Sequence, residues 1–141
     1  MQLKLITLAG EKINKAIYQV TIPTIDGEIS VYPDHEALIT VAKPGVVVVK
    51  MEKNDVADRH ELFAISGGIV EITGKTVKIL VDEADHGADI VEAETQAALD
   101  RAIAMRDSAT DSVELDQAHQ LIDRHLVRLK VADLHRRRRH N

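Results

Sequence analysis

Near Val81 the spacing of apolar residues changes from every second position to every third or fourth, and the two resulting stretches call for different architectures. From Leu3 to about Val81, short β-rich runs alternate with the turn signals "AGEK", "IDGE", "KPG", "KNDVAD", "SGG" and "TGK". In "TVKILV", Val77, Ile79 and Val81 share one face while Thr76, Lys78 and Leu80 share the other. The run "GVVVVKME" is apolar on both faces at first, as expected of a strand covered by two layers. No helix longer than two turns is expected between Thr7 and Val81.

After "DEADHGAD" the composition turns to Ala, Leu, Glu and Arg, which are good helix formers. "DIVEAETQAALDRAIAMRD", Asp89 to Asp107, opens with a capping-box pattern at Asp89 and Glu92. A second helix is expected from Asp111 to Arg136, capped by Asp111 with Glu114. Its apolar stripe reads Leu115, Ala118, Ile122, Leu129 and Ala132, flanked by Leu121 and Leu126. The intervening "SAT" is short, so the helices fold back on each other. The predicted class is α+β in two segregated parts: an all-β sandwich from Met1 to Asp85, then an antiparallel two-helix hairpin from His86 to Asn141. Two helices bury little by themselves, so the hairpin needs a third surface, either the sandwich or another protein.

Composition removes several functions. A chain of 141 residues is long enough for a conventional core. It has no cysteine, hence no disulfide framework or thiol nucleophile. "MQLKLITLAG" is too short and interrupted for a leader or a membrane span, which suggests an intracellular soluble protein. A net charge of -5 and 2% aromatic residues leave little for binding nucleic acid. The end "LHRRRRHN", Leu134 to Asn141, is a local basic exception, either a solvated tail or a contact for an acidic partner.

Motifs that suggest catalysis do not survive their spacing. "VDEADH", Val81 to His86, matches the magnesium segment of DEAD-type helicases, and "GKT", Gly74 to Thr76, matches the end of a phosphate loop. That loop needs a glycine where Ile69 stands, and its Lys-Thr should open a helix where a strand pattern follows. The plainer reading is a tight turn at Gly74 and an acidic linker. His60, His86, His135 and His140 lack ligand partners at metal spacing, and His119 and His125 fall on different faces of a helix. No catalytic set, metal site or cofactor is expected. "PDHE", Pro33 to Glu36, is by residue type either a catalytic or metal-binding cluster or a connection between strands.

The string "DGEISVYPDHEALITVAKPGVV", Asp26 to Val47, resembles the signature of the epsilon subunit of F-type ATP synthases. Gly27, Glu28, Tyr32, Pro33, His35, Leu38, Lys43, Pro44 and Gly45 match it; Asp34 replaces the usual glycine, and Glu36-Ala37 replaces Ala-Pro. "AISGGIVEITGKTVKILVDEADH" resembles the family's second conserved stretch. The resemblance implies that "PDHE" is a bend, and that Glu28, Tyr32, Pro33, His35 and Leu38 face the rotor, meaning the gamma subunit and the c-ring. It implies a non-catalytic stalk subunit, peripheral on the cytoplasmic face of a bacterial plasma membrane, which it meets only through the c-ring.

The hairpin would regulate hydrolysis by lying folded or by extending into the catalytic head of alpha and beta subunits. Its acting residues would be Ile122, Arg124, Leu126, Arg128, Leu129 and Arg136, Arg137, Arg138 and Arg139. The family's nucleotide motif, Ile or Leu-Asp-x-x-Arg-Ala, falls on Ile90, Val91, Glu92, Ala93, Glu94 and Thr95, where its aspartate and arginine are missing, so no ATP site is expected. The alternative is a free-standing β domain whose basic helical tail binds an acidic protein or RNA.

Overall fold

The computed structural model describes residues 1–140. Ten strands come first: β1 Gln2–Thr7, β2 Gly10–Ala16, β3 Gln19–Thr24, β4 Gly27–Val31, β5 Leu38–Ala42, β6 Gly45–Lys50, β7 Glu61–Ile65, β8 Gly68–Thr73, β9 Thr76–Val81 and β10 Ala84–His86. Two helices follow, α1 Glu92–Ser108 and α2 Ser112–Arg139. Between Thr7 and Val81 the helical structure among the described residues is one 3-10 turn, Ala57–Arg59.

The strands run in the order β10-β7-β6-β3-β5-β8-β9-β1-β2, with β4 added to β3. β3 and β5 pair at one register position, Thr24 with Ala42, flanked by bonds from Ile25 N–H to Val41 O and from Lys43 N–H to Pro23 O, and there the sheet folds over on itself. The period-two pattern then places one face of each half inside: Leu3, Leu5, Val70, Ile72, Val77 and Ile79 meet Val20, Ile22, Val47, Val49, Phe63 and Ile65 in a common core.

β7 is buried on both faces. Phe63 and Ile65 enter the sandwich, while Leu62 and Ala64 pack with Val131 and Ala132 of α2. Val46 and Val48 of β6 join that outer cluster, so the two-faced "VVVV" run does lie between two layers. The hairpin's third surface is therefore the sandwich, at the outer side of β6 and β7.

The helix termini fall in different places from those the sequence suggests. Gly87–Asp89 forms a 3-10 turn capped by His86 Nδ1, which accepts from the Ala88 N–H at 3.0 Å. Asp89 is therefore no N-cap, and α1 starts after Val91, whose carbonyl accepts from Thr95 Oγ1. Asp111 does cap α2, accepting from the Glu114 N–H at 2.8 Å, and Glu114 reaches back to the Thr110 N–H. α2 continues through the arginines to Arg139.

The apolar stripe of α2 also differs. Ile122 is buried against Leu99 and Ala102 of α1, with Ala118 buried one turn earlier, whereas Val131 and Ala132 are buried against β7. One long helix serves two neighbours at different azimuths; Leu115, expected in the stripe, is 38% exposed, and Leu126, expected on its flank, 50%.

Candidate functional site

Two surfaces of the sandwich carry the functional geometry. The first is the outer face of β5, β8 and β9, on the half of the sheet away from the hairpin. Val41 pairs with Ile69, Ile69 with Leu80 and Leu80 with Ile6, giving an apolar row across four strands. Ile39 stands beside it, opposite Glu71, which pairs with Lys78. Ile39 is 74% exposed and Ile69 52%. These aliphatic side chains on the solvent phase of adjacent strands form a contiguous apolar patch, a feature common at contact surfaces. No local pattern marks these residues in the sequence, although Leu80 stands on the polar phase of "TVKILV".

The residues matched to the rotor face do not form one cluster. Glu28 lies beside the β3–β4 turn, opposite Pro23, whereas Tyr32 follows the other end of β4, about 13 Å away at 3.3 Å per residue. Tyr32 meets Tyr18 edge to face at 6.0 Å, and His35 Nδ1 lies 2.7 Å from the Glu36 carbonyl oxygen. Pro33 and Asp34 turn the chain; Asp34 has φ 66°, a left-handed conformation that explains why a glycine is favoured there. Leu38 opens β5 at the same end, paired with buried Ile72.

The second surface is the seam between α2 and the segment from Glu83 to Gly87, with Ser66 beside it. Arg128 Nε lies 3.1 Å from Asp85 Oδ2, and Arg124, one turn earlier, pairs with Glu83. Ser66 fixes Glu83: its N–H donates to the Glu83 carbonyl at 3.1 Å, and its Oγ accepts from the Glu83 N–H at 3.0 Å. In the sequence Glu83 and Asp85 read as linker acids, because their partners are more than forty positions away and only the fold brings them together. Gly87 admits α2 closely; a Cβ there would stand 3.2 Å from Val131 Cγ1.

The basic end is partly neutralised within the chain. Arg136 contacts Asp133 at 2.6 Å and Glu92 at 3.7 Å, and Arg137 contacts Asp133 at 3.0 Å. The hydrogen bond from Arg136 holds the Asp133 carboxyl below its usual range. Arg138 Nη1 donates to the His60 carbonyl at 3.3 Å. Leu129 packs with the α1–α2 core, alongside Ile122. At the motif positions for nucleotide, Ile90 is buried in the seam, Thr95 is 2% exposed, and Val91 and Glu94 point outward. Among the described residues no group of three His, Asp or Glu side chains is placed to hold a metal ion.

These features define an accessory binding module: a sandwich with one bare apolar face, and a helical hairpin latched to the other. Residues 1–87 match the model of the ATP synthase delta/epsilon chain β-sandwich domain. The chain belongs to that family, and so is a non-catalytic accessory subunit of ATP synthase. It is 34% identical over 139 residues to the ATP synthase epsilon chain of Herpetosiphon aurantiacus, covering 98% of each chain. It is 35% identical over 121 residues to that of Chromobacterium violaceum, covering 86% of this chain and 84% of the relative. Its fold is similar to a chain of the Euglena gracilis mitochondrial ATP synthase (OSCP/F1/c-ring), with a TM-score of 0.76 and 24% identity over 94% of this chain and 80% of that one. A chain of the Tetrahymena thermophila mitochondrial ATP synthase central stalk and c-ring gives a TM-score of 0.60 at 17% identity, covering 94% and 96%.

Proposed function

We propose that this chain is a rotor subunit of an F-type ATP synthase: its sandwich couples the c-ring to the gamma subunit, and its hairpin restrains ATP hydrolysis. The observation that carries the coupling role is the exposed row Val41, Ile69 and Leu80, with Ile39 beside it. A monomeric sheet ordinarily turns polar side chains outward, so an apolar row is explained by a partner. Gamma is the partner assigned to it. Glu28 at one end of β4, and Tyr32, Pro33, His35 and Leu38 at the other, complete the rotor contacts. The relatives' printed names, ATP synthase epsilon chain, and the stalk and c-ring assemblies among the structural neighbours support this assignment.

The regulatory role rests on the seam. The latched hairpin is the permissive position, in which Arg124 and Arg128 are occupied by Glu83 and Asp85. Released, it presents both arginines and Arg136 to Arg139 to an acidic face of the alpha/beta head. Ile122, Leu126 and Leu129 then pack on gamma, and the extended position opposes rotation in the hydrolytic direction. One packed element with two positions suffices for a switch. The subunit works at the cytoplasmic face of a bacterial plasma membrane, held there through the c-ring; no described helix is long and apolar enough to cross a membrane.

Deleting Val113 to Asn141 and, separately, changing Arg136 to Arg139 to alanine test the reading in the assembled enzyme. Both variants should co-purify with gamma and the c-ring and hydrolyse ATP faster than the parent, by a margin that shrinks at high salt. Unchanged hydrolysis after the deletion would sink the regulatory role, and failure of the parent to co-purify with gamma would sink the coupling role.

A further inference from the structure

Four histidines stand at the contact between the hairpin and the sandwich, and the functional reading uses none of them. His60 precedes β7, and its carbonyl accepts from Arg138. His86 ends β10, with its ring edge to face on Phe63 at 4.9 Å and its Nε2 3.6 Å from Glu61. His135 of α2 lies over His86 at 6.4 Å between centroids. His125 is on α2 between Arg124 and Arg128, with Arg101 of α1 and Glu83 of the sandwich facing it. His60 Nε2 and His125 Nδ1 are buried with no hydrogen-bond partner. A proton placed on either would become a buried donor without an acceptor, in a seam already crowded with arginines.

We infer that His60, His125 and His135 make the docking of the hairpin pH-sensitive: with neutral rings it stays on the sandwich, and protonation releases it. Release exposes each ring, which supports this direction, whereas only some of the charges around the rings lie across the seam. His60 faces Arg138 across the seam and Lys50 of β6, opposed by Asp55. His125 faces Arg128, Arg124 and Arg101, which travel with the hairpin, and Glu83 of the sandwich, which opposes release. His135 faces His86, Arg139 and Arg138. His86 has Glu61 as a counter-charge and is therefore not one of the three.

Burial first, and the neighbouring cations second, depress all three rings below the ordinary value of 6.5 in the docked state. Release removes the burial, the largest cause at each ring, so the released state takes up protons first as pH falls. Docking is at full strength above about pH 6.5 and weakens as pH falls through that value toward the depressed ones. Each proton taken up on release changes the docked-to-released ratio by up to about tenfold per pH unit. The inference deepens the regulatory reading of the hairpin. Its test uses the full chain alone, so its failure is distinguishable from a failure of the hydrolysis experiment.

The chain has no cysteine, so one introduced thiol reports opening of the seam. Ala64 of β7 is 4% exposed beneath Val131 and Ala132. The Ala64→Cys thiol is labelled with iodoacetamide across about pH 7.5 to 5.5, above the usual carboxylate range of about 4, and each rate is normalised to a free cysteine peptide. The normalised rate should rise at least about tenfold toward pH 5.5, and by less than about twofold when His60→Gln, His125→Gln and His135→Gln are added. Val70→Cys, in the sandwich core, should stay protected throughout. A flat profile in the Ala64→Cys chain, an undiminished slope in the triple variant, or parallel exposure of the Val70→Cys thiol would each overturn the inference. If the triple variant fails to fold by circular dichroism, His60→Gln and His135→Gln singly decide, each being expected to remove part of the slope.

Discussion

Arg128 Nε and Asp85 Oδ2 stand 3.1 Å apart, joining the middle of α2 to a strand of the sandwich. Arg124 and Glu83 repeat the contact one helical turn away. Both pairs are part-exposed, and such pairs contribute about 0 to 1 kcal/mol each, reduced by salt. A double-mutant cycle on Arg128→Ala and Asp85→Ala, read by labelling of the Ala64→Cys thiol, should give a coupling of at most about 1 kcal/mol that shrinks in high salt. Zero coupling in low salt would mean that apolar packing alone holds the hairpin.

The seam should be more sensitive to shape than to charge. Gly87 faces Val131 Cγ1 and His135 Cβ, at 3.2 and 3.3 Å from a Cβ in its place. Gly87→Val should displace α2 at a cost of about 1 to 3 kcal/mol while leaving the sandwich folded. Amide exchange should then quicken in α2 and remain slow in β8 and β9.

The bare face should tolerate charge as long as the chain is alone. Ile69→Lys, at a position 52% exposed, should change thermal stability by no more than about 0.5 kcal/mol. The same substitution should abolish co-purification with gamma. Normal assembly of this variant would remove the apolar row from the rotor interface.

Gly68 is a different case. It has φ 154°, and a Cβ would run into the Leu80 carbonyl oxygen on β9. Gly68→Ala breaks the β8–β9 pairing and should cost more than about 3 kcal/mol, seen as loss of the cooperative melting transition.

Nucleotide should not set the hairpin's position. Glu94 stands where the family's motif carries an arginine, and Val91 where it carries an aspartate. Titration calorimetry on the full chain should give no ATP affinity in the micromolar range; a clear micromolar isotherm would reverse this expectation.

The sequence by itself determined the two parts and their order, because period two and period 3.6 are local properties of the backbone. It also determined the Asp111 cap and the two-faced β6 strand, whose signals lie within a few residues. Only the tertiary structure decided which neighbour each stretch of α2 serves: Ile122 goes to α1 and Val131 to β7, so the single stripe from Leu115 to Ala132 divides, and Leu115 at its start is exposed. The partners of Arg124 and Arg128, and the bare row at Val41, Ile69 and Leu80, were likewise settled by the fold. The reason is chain separation: an ion pair or a cross-strand row joins residues tens of positions apart, and no local pattern records which strands will lie side by side or which of their faces will be left uncovered.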